Sequence, residues 1–376
     1  MKVLLVSNTD WYLFRFRLSL AEYLRARGWD VILVSPPGEY VKRIEEHGFR
    51  WAEWQVGRQT VNPLGELRNL MKLRDIFKRE KPDLVHLHTI KPVIYGSLAA
   101  TFAGLKAIVR SVTGRGYVFL GTDLRARLLR PIVKGVYRFF LRAGGGVTIF
   151  ENQADLDYFV NEGLIRADRA TLIEGVGVDT EHYHPLPEPE GVPTVLLAGR
   201  LLWDKGVGEF VEAARQLKAK MEARFILVGE NDAGNPANIE KSVIEGWVKE
   251  GLLEWWGWQS DMRAVFAACH VVALPSYGEG IPTVLLEAAA CGRAIVATDV
   301  SGCRDVVRNE VNGLLVPVKE SQPLADALER LLSDASLRYK MGTAGRALME
   351  ERFSDKHINE QTIQLYQQVL AHLNPR

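Results

Sequence analysis

Cysteine is scarce in this chain, and long hydrophobic runs are missing from it. Cys269, Cys291 and Cys303 have no metal-ligand spacing and cannot all pair, which fits a reducing compartment better than secretion. No stretch of roughly 18 or more apolar residues occurs, so we expect no membrane-spanning helix, although contact with a membrane surface is allowed. The apolar start MKVLLV is too short for a signal-peptide core and predicts a buried strand.

The two common phosphate-binding signatures are missing as well. The first predicted strand runs into SNTDWY rather than G-x-G-x-x-G, and no G-x-x-x-x-G-K-[ST] occurs anywhere. Both absences disfavour a dehydrogenase and a P-loop enzyme. His86 and His88 form an H-x-H at the end of a predicted strand, but they are only two ligands, and we predict no metal site.

The chain is long enough for two domains. Its 376 residues exceed the roughly 250 to 300 at which one hydrophobic core stops growing. Short apolar runs alternate with longer amphipathic segments, which is the pattern of strands that are each followed by a crossover helix. Four prolines in HPLPEPEGVP, residues 184–193, indicate a linker. We predict an α/β protein with two doubly wound, Rossmann-like domains at 1–185 and 186–354, followed by a helix at 355–376.

Ten short, largely apolar runs are predicted as parallel strands, because such runs suit burial on both faces of a sheet. They lie at residues 3–6, 31–34, 84–87, 107–109 and 147–150 in the first domain, and at 194–198, 224–228, 253–256, 271–274 and 294–297 in the second. A cleft between two such domains is the expected place for an active site.

Positive charge is concentrated in the first half of the chain. Residues 1–185 contain 27 Lys and Arg against 20 Asp and Glu, which leaves 20 against 26 in the rest, since the whole chain has 47 and 46. A basic helix with an apolar face, LRARLLRPIVKGVYRFFLRAGG, is predicted at 124–145. Such helices lie on anionic lipid, although a crossover helix buries an apolar face in any case. We predict contact with an anionic membrane surface and, since no recognised motif accompanies the helix, no nucleic-acid binding.

The start of the second predicted domain suggests a phosphate site. Its first strand ends in AGRLLWDKGVGEF, so that Arg200 and Lys205 flank a turn that opens onto a helix. Amides at the start of a helix and the side chains of Arg and Lys all favour anions, so a diphosphate fits this turn. The alternative interpretation is a pair of surface cations.

Two glutamates follow the fourth strand of the second domain, in PSYGEGIPTVLLEAAACG. Glu279 is predicted on the loop at the carboxyl end of the strand, and Glu287 about two turns into an apolar helix, where a carboxylate needs a partner. Ribose hydroxyls are suitable donors for Glu287, whereas Glu279 and the amides of Gly280 and Ile281 suit the hydroxyls of a sugar. An internal salt bridge for Glu287 is the alternative.

Together these motifs resemble one enzyme family. Glu279 and Glu287 match the E-x7-E motif of the retaining glycosyltransferases of family 4, which have the GT-B fold. GRLLWDKG, PSYGEGIP, LLEAAACGRAIVATDVSG and NGLLVP extend the resemblance over nearly the whole chain. NTDWYLFRFR and GRLLWDKGV are similar to transferases that add N-acetylgalactosamine to undecaprenyl-diphosphate-linked saccharides. The resemblance implies an acceptor-binding first domain that faces a nucleotide-sugar-binding second domain across a cleft, and a C-terminal helix that packs back on the first.

The resemblance also implies roles for residues of the second domain. Arg200 and Lys205 would neutralise the diphosphate as the sugar leaves, with no metal required. Glu279 would contact the transferred sugar, and Glu287 the ribose. The expected catalytic residues are Arg200, Lys205 and Glu279, and the expected donor-binding residues also include Gly229, Trp258, Gly280, Ile281 and Glu287. Uridine is the base that the family implies, and no cofactor is expected, because the nucleotide-sugar is a substrate.

Acceptor-binding residues are expected on loops of the first domain. Aromatic rings stack on sugars and arginine pairs with phosphate. The candidates are Asn8, Trp11, Arg15, His88, Lys91 and Arg115, with Tyr12, Arg17 and Tyr117 beside them. A structural role is the alternative for each. Thr113 and Gly114 stand where many members of the family have a histidine, which argues against chemistry that depends on that histidine.

Asp155-Leu156-Asp157 resembles the metal-binding D-x-D of the other main glycosyltransferase fold. It lies in NQADLDYFVNEG, which predicts an exposed helix rather than the end of a strand. We therefore interpret it as a solvated helix face.

We predict a metal-independent, retaining glycosyltransferase of the hexosyltransferase class. It would move an N-acetylhexosamine or a hexose from a UDP-sugar to a polyprenyl-diphosphate-linked saccharide, in the synthesis of a cell-surface polysaccharide or a glycoprotein glycan. The expected location is the cytoplasm, peripheral on the inner face of the plasma membrane. Two alternatives remain: a UDP-N-acetylglucosamine 2-epimerase of the same architecture, and a non-catalytic nucleotide-sugar-binding subunit of a polysaccharide assembly complex.

Overall fold

The structure is a computed structural model that describes residues 1–56, 63–114, 119, 124–143 and 145–373. The chain divides into two compact units, one formed by Met1–Val176 with Asp355–Arg376 and the other by Gly177–Ser354. Each unit contains one parallel sheet with helices on its faces, so the prediction of two α/β units is confirmed.

The first unit contains a seven-stranded parallel sheet. Its strands are Lys2–Val6 (β1), Asp30–Ser35 (β2), Arg50–Glu53 (β3), Leu84–His88 (β4), Ile108–Val112 (β5), Val147–Phe150 (β6) and Ala170–Leu172 (β7). Their order is β3-β2-β1-β4-β5-β6-β7. The chain runs from β1 outward to β3 and then crosses to β4 on the other side of β1. This switch point, outside the carboxyl ends of β1 and β4, is where open parallel sheets bind ligands.

Helices cover both faces of this sheet. They are Asp10–Ala26 (α1), Val41–Glu46 (α2), Pro63–Glu80 (α3), Ser97–Ala103 (α4), Leu124–Arg138 (α5) and Gln153–Asn161 (α6). Successive residues of a strand point to opposite faces, so Leu5 packs in the core beneath α1, whereas Leu4 packs in the core on the side of α3. Helix α1 begins where the Thr9 side chain accepts a hydrogen bond from the Tyr12 amide at 3.2 Å.

The second unit contains a six-stranded parallel sheet. Its strands are Thr194–Ala198 (β8), Arg224–Val228 (β9), Glu254–Gly257 (β10), Val271–Leu274 (β11), Ala294–Thr298 (β12) and Gly313–Val316 (β13). Their order is β10-β9-β8-β11-β12-β13, which gives a switch point between β8 and β11. The unit begins before the boundary predicted at 185/186, because Val178 and Tyr183 pack into its core.

Seven helices of the described chain belong to this second unit. They are Val207–Lys218 (α7), Lys241–Lys249 (α8), Met262–Ala267 (α9), Thr283–Ala290 (α10), Ser301–Val306 (α11), Ser321–Ser333 (α12) and Ala335–Leu348 (α13). Nowhere in the described ranges is a helix both long and apolar enough to cross a membrane.

Three strands, β3, β7 and β13, were not predicted. All three lie at the edge of a sheet. An edge strand is covered less completely, and the four residues of β3 and the three of β7 include only one buried side chain, Ala52. Strands β3 and β7 therefore lack the apolar run that reveals a central strand. Strand β13 is apolar and mostly buried, so its burial does not explain why it was not predicted.

The last helix, Asp355–Leu373 (α14), returns to the first unit, as predicted. Ser19 of α1 donates a hydrogen bond to Asp355 at 2.6 Å, and Tyr23 donates one to Glu360 at 2.9 Å. Ile363 and Tyr366 are buried in the core that includes α1 and the strands of the first sheet. The end of the chain is therefore part of the first hydrophobic core.

We expect Ile363→Ala to lower the free energy of unfolding of the first unit by about 2–5 kcal/mol, because it leaves a cavity in this core. Urea denaturation followed by circular dichroism measures the loss. Gln367→Ala, an exposed position in the same helix, is the control and should change stability by less than about 0.5 kcal/mol. Equal effects of the two substitutions would show that α14 is not packed in the core.

Candidate active site

The carboxyl edge of the second sheet brings most of the predicted donor residues onto neighbouring loops. Strand β8 ends at Ala198 and leads into the loop with Arg200 and Lys205, and β11 ends at Leu274 and leads into the loop with Glu279. Strands β8 and β11 pair directly with each other. The two loops therefore start side by side at the switch point of the sheet.

A close backbone contact fixes one loop against the other. Gly206 has a φ of 73°, and a Cβ at this position would lie 2.0 Å from the carbonyl oxygen of Pro275. The Tyr277 amide donates to the carbonyl of Asp204 at 2.9 Å, and the Ser276 hydroxyl donates to the same oxygen at 3.2 Å. Since only glycine fits at position 206, the contact depends on that residue.

An ion pair joins the two loops. Lys205 Nζ lies 2.6 Å from Oε1 of Glu279, and the two side chains are only 20% and 11% exposed. Water and salt therefore screen this pair less than they screen a pair on the open surface. The structure thus places a cation and a carboxylate, both expected to contact the donor, against each other.

Arg200 is a second cation at this edge of the sheet. Its Nη1 atom lies 3.3 Å from Oδ2 of Asp232, a residue of the loop after β9. The Arg200 side chain is 53% exposed, and exposed pairs contribute only about 0–1 kcal/mol. Its guanidinium can therefore turn from Asp232 to a ligand at little cost.

The loop that carries Glu279 continues into a buried part of the unit. Ile281 and Glu287 are both buried, and Glu287 lies within α10. A Cβ on Gly302 would lie 1.5 Å from the carbonyl oxygen of Gly280, so this loop rests directly on the first turn of α11. Close packing therefore sets the backbone around Gly280.

Gly229 and Trp258 follow β9 and β10 at the same edge. Gly229 has a φ of 132°, and a Cβ there would lie 1.9 Å from the carbonyl oxygen of Gly199. Its amide donates to Gly257 at 2.8 Å, and its carbonyl accepts from the Trp255 indole at 2.9 Å. The Trp258 side chain is more than half exposed. Gly229 therefore contacts both the loop after β8 and the end of β10, whereas the Trp258 ring is exposed to solvent.

In the first unit, three acceptor candidates follow β1. Asn8 accepts a hydrogen bond from the Thr89 hydroxyl at 3.0 Å, which links the ends of β1 and β4 across the switch point. Thr89 has a φ of 71°, a strained backbone conformation of the kind that occurs at functional sites. Trp11 and Arg15 are exposed in the first turns of α1.

His88 lies at the end of β4 and is completely buried. Neither of its ring nitrogens has a hydrogen-bond partner in the part of the chain that the structure describes. Burial, with smaller contributions from His86 and Arg17, holds the pKa of His88 well below its ordinary value, so the ring is neutral. A neutral imidazole with two unused nitrogens is suited to a hydroxyl group, although access to it requires the protein to open.

Lys91 and Arg115 are the remaining acceptor candidates. The Lys91 ammonium lies 3.0 Å from Oε1 of the buried Glu66, so it is paired within the unit. Arg115 and the neighbouring Tyr117 lie outside the described residues.

Arg17 was expected beside the acceptor candidates, with a structural role as the alternative, and the structure buries it. Its Nη2 atom donates to the Tyr12 hydroxyl at 2.8 Å and lies 3.7 Å from Oε1 of Glu151. Burial raises the pKa of the Glu151 carboxyl from its ordinary 4.5 to about 7, although Arg17 opposes the shift. Glu151 was not predicted, because a single acidic residue after a strand has no distinctive pattern.

Tyr366 was also missed by the sequence analysis. Its hydroxyl lies 2.5 Å from Nδ1 of His86, whose Nε2 lies 2.7 Å from the Ser111 hydroxyl. The rings of His86 and His88 are 3.8 Å apart. Because Tyr366 and His86 are 280 residues apart, only the return of α14 brings them together.

The interpretation of Asp155-Leu156-Asp157 as a solvated face was wrong for Asp155. Asp155 is buried, its amide donates to the Asn152 side chain at 2.8 Å, and its carboxylate accepts from the Asn152 amide group at 3.1 Å. This reciprocal cap begins α6, and only Asp157 is exposed. Within the described ranges, no group of three or more His, Cys, Asp or Glu side chains is arranged to hold a metal ion.

Two doubly wound α/β units, with cations and carboxylates at the switch point of the second, define the class of GT-B glycosyltransferases. Residues 2–142 match the family model described as glycosyl transferase 4-like, and residues 192–334 match the model described as glycosyl transferases group 1. The chain therefore belongs to the glycosyltransferases that these two models describe, and it is a glycosyltransferase enzyme.

Individual relatives agree with this assignment. The chain is 28% identical over 390 aligned residues to N,N'-diacetylbacillosaminyl-diphospho-undecaprenol alpha-1,3-N-acetylgalactosaminyltransferase of Campylobacter jejuni, covering 99% of this chain and 100% of that one. It is 25% identical to UDP-Gal:alpha-D-GlcNAc-diphosphoundecaprenol alpha-1,3-galactosyltransferase of Escherichia coli, with 74% of each covered. The crystal structure of Anabaena HepE in complex with UDP has the same fold, with a TM-score of 0.80 at 21% identity, covering 98% of this chain and 100% of that one. These relatives do not favour the epimerase alternative.

The raised pKa of Glu151 predicts a pH dependence of stability. Between about pH 4.5 and 7 the folded protein binds this proton more tightly than the unfolded chain does, so the contribution of Glu151 to the free energy of unfolding falls as the pH rises through that window. We expect Glu151→Gln to remove that fall, which urea denaturation at several pH values measures. Glu45→Gln, at an exposed position in α2, is the control. An unchanged pH slope in Glu151→Gln would contradict the expectation.

Proposed function

We propose that this enzyme transfers a sugar from a UDP-sugar to a lipid-linked saccharide, and that the second unit binds the donor while the first binds the acceptor. The single observation that carries the proposal is the meeting of Lys205 and Glu279 at the switch point of the second sheet. A cation for phosphate and a carboxylate for sugar hydroxyls are the two groups that a nucleotide-sugar needs at adjacent positions.

The diphosphate of the donor would lie near the first turn of α7. Lys205 precedes this helix, Arg200 lies in the same loop, and the amides at the start of the helix add a partial positive charge. Together these groups stabilise the charge that develops on the leaving phosphate. We expect this charge stabilisation to come from the protein itself and the reaction to proceed without a metal ion.

Retention of configuration is the stereochemistry that the family resemblance implies. The Glu279 carboxylate is paired with Lys205, and with the donor bound we expect it to accept hydrogen bonds from the sugar hydroxyls rather than to attack the sugar carbon. We therefore propose a front-face reaction. The bond between the sugar and the phosphate oxygen breaks, the acceptor oxygen bonds to the same sugar carbon on the same face, and the leaving phosphate takes the proton of the acceptor hydroxyl.

The acceptor is proposed from the relatives. The names of the Campylobacter jejuni and Escherichia coli enzymes both specify a sugar linked to diphospho-undecaprenol. A polyprenyl-diphosphate-linked saccharide is the corresponding acceptor for this chain, with Asn8, Trp11 and His88 at the edge of the first sheet as candidate contacts. The process would be the assembly of a cell-surface polysaccharide or glycan.

A lipid-linked acceptor requires contact with a membrane, and α5 supports such contact. Leu128 and Ile132 are 65% and 64% exposed, one turn apart on this helix, and Phe139, just after it, is 60% exposed. Lys134 pairs with the Glu162 carboxylate, and Arg138 donates hydrogen bonds to the carbonyl oxygens of Glu162 and Gly163, so both cations already have partners. The exposed apolar side chains therefore support the contact more strongly than the charges, and we place the protein at the cytoplasmic surface of the membrane.

A transfer assay tests the function. Purified protein is incubated with labelled UDP-, GDP- or ADP-sugars and an undecaprenyl-diphosphate-linked saccharide, with and without EDTA, and label in the lipid is measured. We expect EDTA-resistant transfer from a UDP-sugar and a loss of kcat/KM of about 100-fold or more in Lys205→Met. Lys220→Met, at an exposed ion pair with Glu329, is the control and should retain activity. Conversion of the sugar without any acceptor would overturn the proposal.

Membrane contact has its own test. We expect the double variant Leu128→Glu with Ile132→Glu to bind anionic phospholipid vesicles at least about ten-fold more weakly in co-sedimentation, since both side chains lose the free energy of apolar burial. Val311→Glu, an exposed apolar position in the second unit, is the control. Equal binding by the double variant and the control variant would contradict a role for α5.

A further inference from the structure

We propose that Glu279 acts as an internal competitor for Lys205, so that the diphosphate of the donor must take Lys205 from Glu279 before Glu279 can bind the sugar. This inference rests on the proposed donor site. It assigns Glu279 two opposite effects: it weakens the binding of the nucleotide diphosphate, and it is needed for transfer of the sugar.

The first support is the geometry of the ion pair. The Lys205 ammonium and the Glu279 carboxylate are 2.6 Å apart, a distance typical of a strong charge-assisted hydrogen bond. With both side chains largely shielded from water, the attraction between them is stronger than in an exposed pair. A phosphate that needs the ammonium therefore meets an effective competitor.

The second support is that backbone contacts fix both loops that carry the pair. The Tyr277 amide donates a hydrogen bond to the carbonyl oxygen of Asp204, and the backbone at Gly206 lies against that of Pro275. These contacts fix the backbone on both sides of the pair. The two loops cannot separate easily, so the competition must be decided by movement of the Lys205 side chain.

The third support is a comparison with Arg200. Its partner Asp232 is 3.3 Å away, and the Arg200 side chain is 53% exposed, compared with 20% for Lys205. Solvent weakens the Arg200 pair, so Asp232 opposes a phosphate much less. The two cations of the site thus differ, and only Lys205 carries a substantial penalty before it can bind the donor.

The consequence is an order of events. When the diphosphate draws Lys205 away, the Glu279 carboxylate loses its partner and accepts hydrogen bonds from the sugar hydroxyls instead. A free sugar lacks the phosphates that release Glu279 and should bind poorly. A nucleotide diphosphate without a sugar should still bind. Its affinity is lowered, because the Glu279 carboxylate loses Lys205 and gains no sugar hydroxyl in return.

Isothermal titration calorimetry with UDP tests the proposal on the full-length protein. We expect Glu279→Gln to bind UDP about three- to ten-fold more tightly than the unmodified enzyme, although it transfers sugar poorly. Glu212→Gln removes a negative charge from the same unit at a position that pairs with Arg215, and it should leave UDP affinity unchanged. This control separates the local effect from a change in net charge.

A double-mutant cycle shows whether the effect passes through Lys205. In a Lys205→Met background, Glu279→Gln should no longer tighten UDP binding. If Glu279→Gln leaves the affinity for UDP unchanged or lowers it, or tightens it equally in the Lys205→Met background, the proposal is overturned. An unmodified enzyme that neither binds UDP nor transfers sugar would instead refute the proposed function, so the two failures are distinct.

Discussion

The candidate donor site depends on the contact of one glycine with one carbonyl group. Gly206 lies so close to the carbonyl oxygen of Pro275 that no side chain fits at position 206. This contact fixes the loop after β8 against the loop after β11. Lys205 is the residue before this glycine, and Glu279 lies four residues beyond the proline. The ion pair between them, and the position of both relative to α7, follow from that single close approach.

The two units differ in the polar side chains at the carboxyl edges of their sheets. The edge of the second unit presents cations and carboxylates on loops, which suits a charged and hydroxylated donor. In the first unit, one group of polar side chains at the corresponding edge is buried: Tyr366 of α14 contacts His86, His86 lies beside His88, and Arg17 lies beside Glu151. The last helix therefore both completes a hydrophobic core and contacts the buried polar residues at the carboxyl edge of the first sheet.

The central strands and the two loops of the candidate donor site could be predicted because each has a local signal, whereas the return of α14 was expected only from the family resemblance. These signals are apolar runs such as 194–198, the turn around Lys205, and the spacing of Glu279 and Glu287. Strands β3 and β7 and the contacts of Tyr366 have no such signal, since they are set by neighbours distant in the sequence. Asp155 was wrongly expected to be exposed. Its reciprocal hydrogen bonds with Asn152 offset the loss of water around the buried carboxylate.

Hydrogen–deuterium exchange with and without UDP tests the central claim, that the donor binds at the switch point of the second sheet. We expect UDP to slow exchange in residues 199–209 and 275–287, and to leave the loops after β1 and β4 of the first unit unchanged. Protection confined to the first unit, or none at 199–209 under saturating UDP, would contradict it.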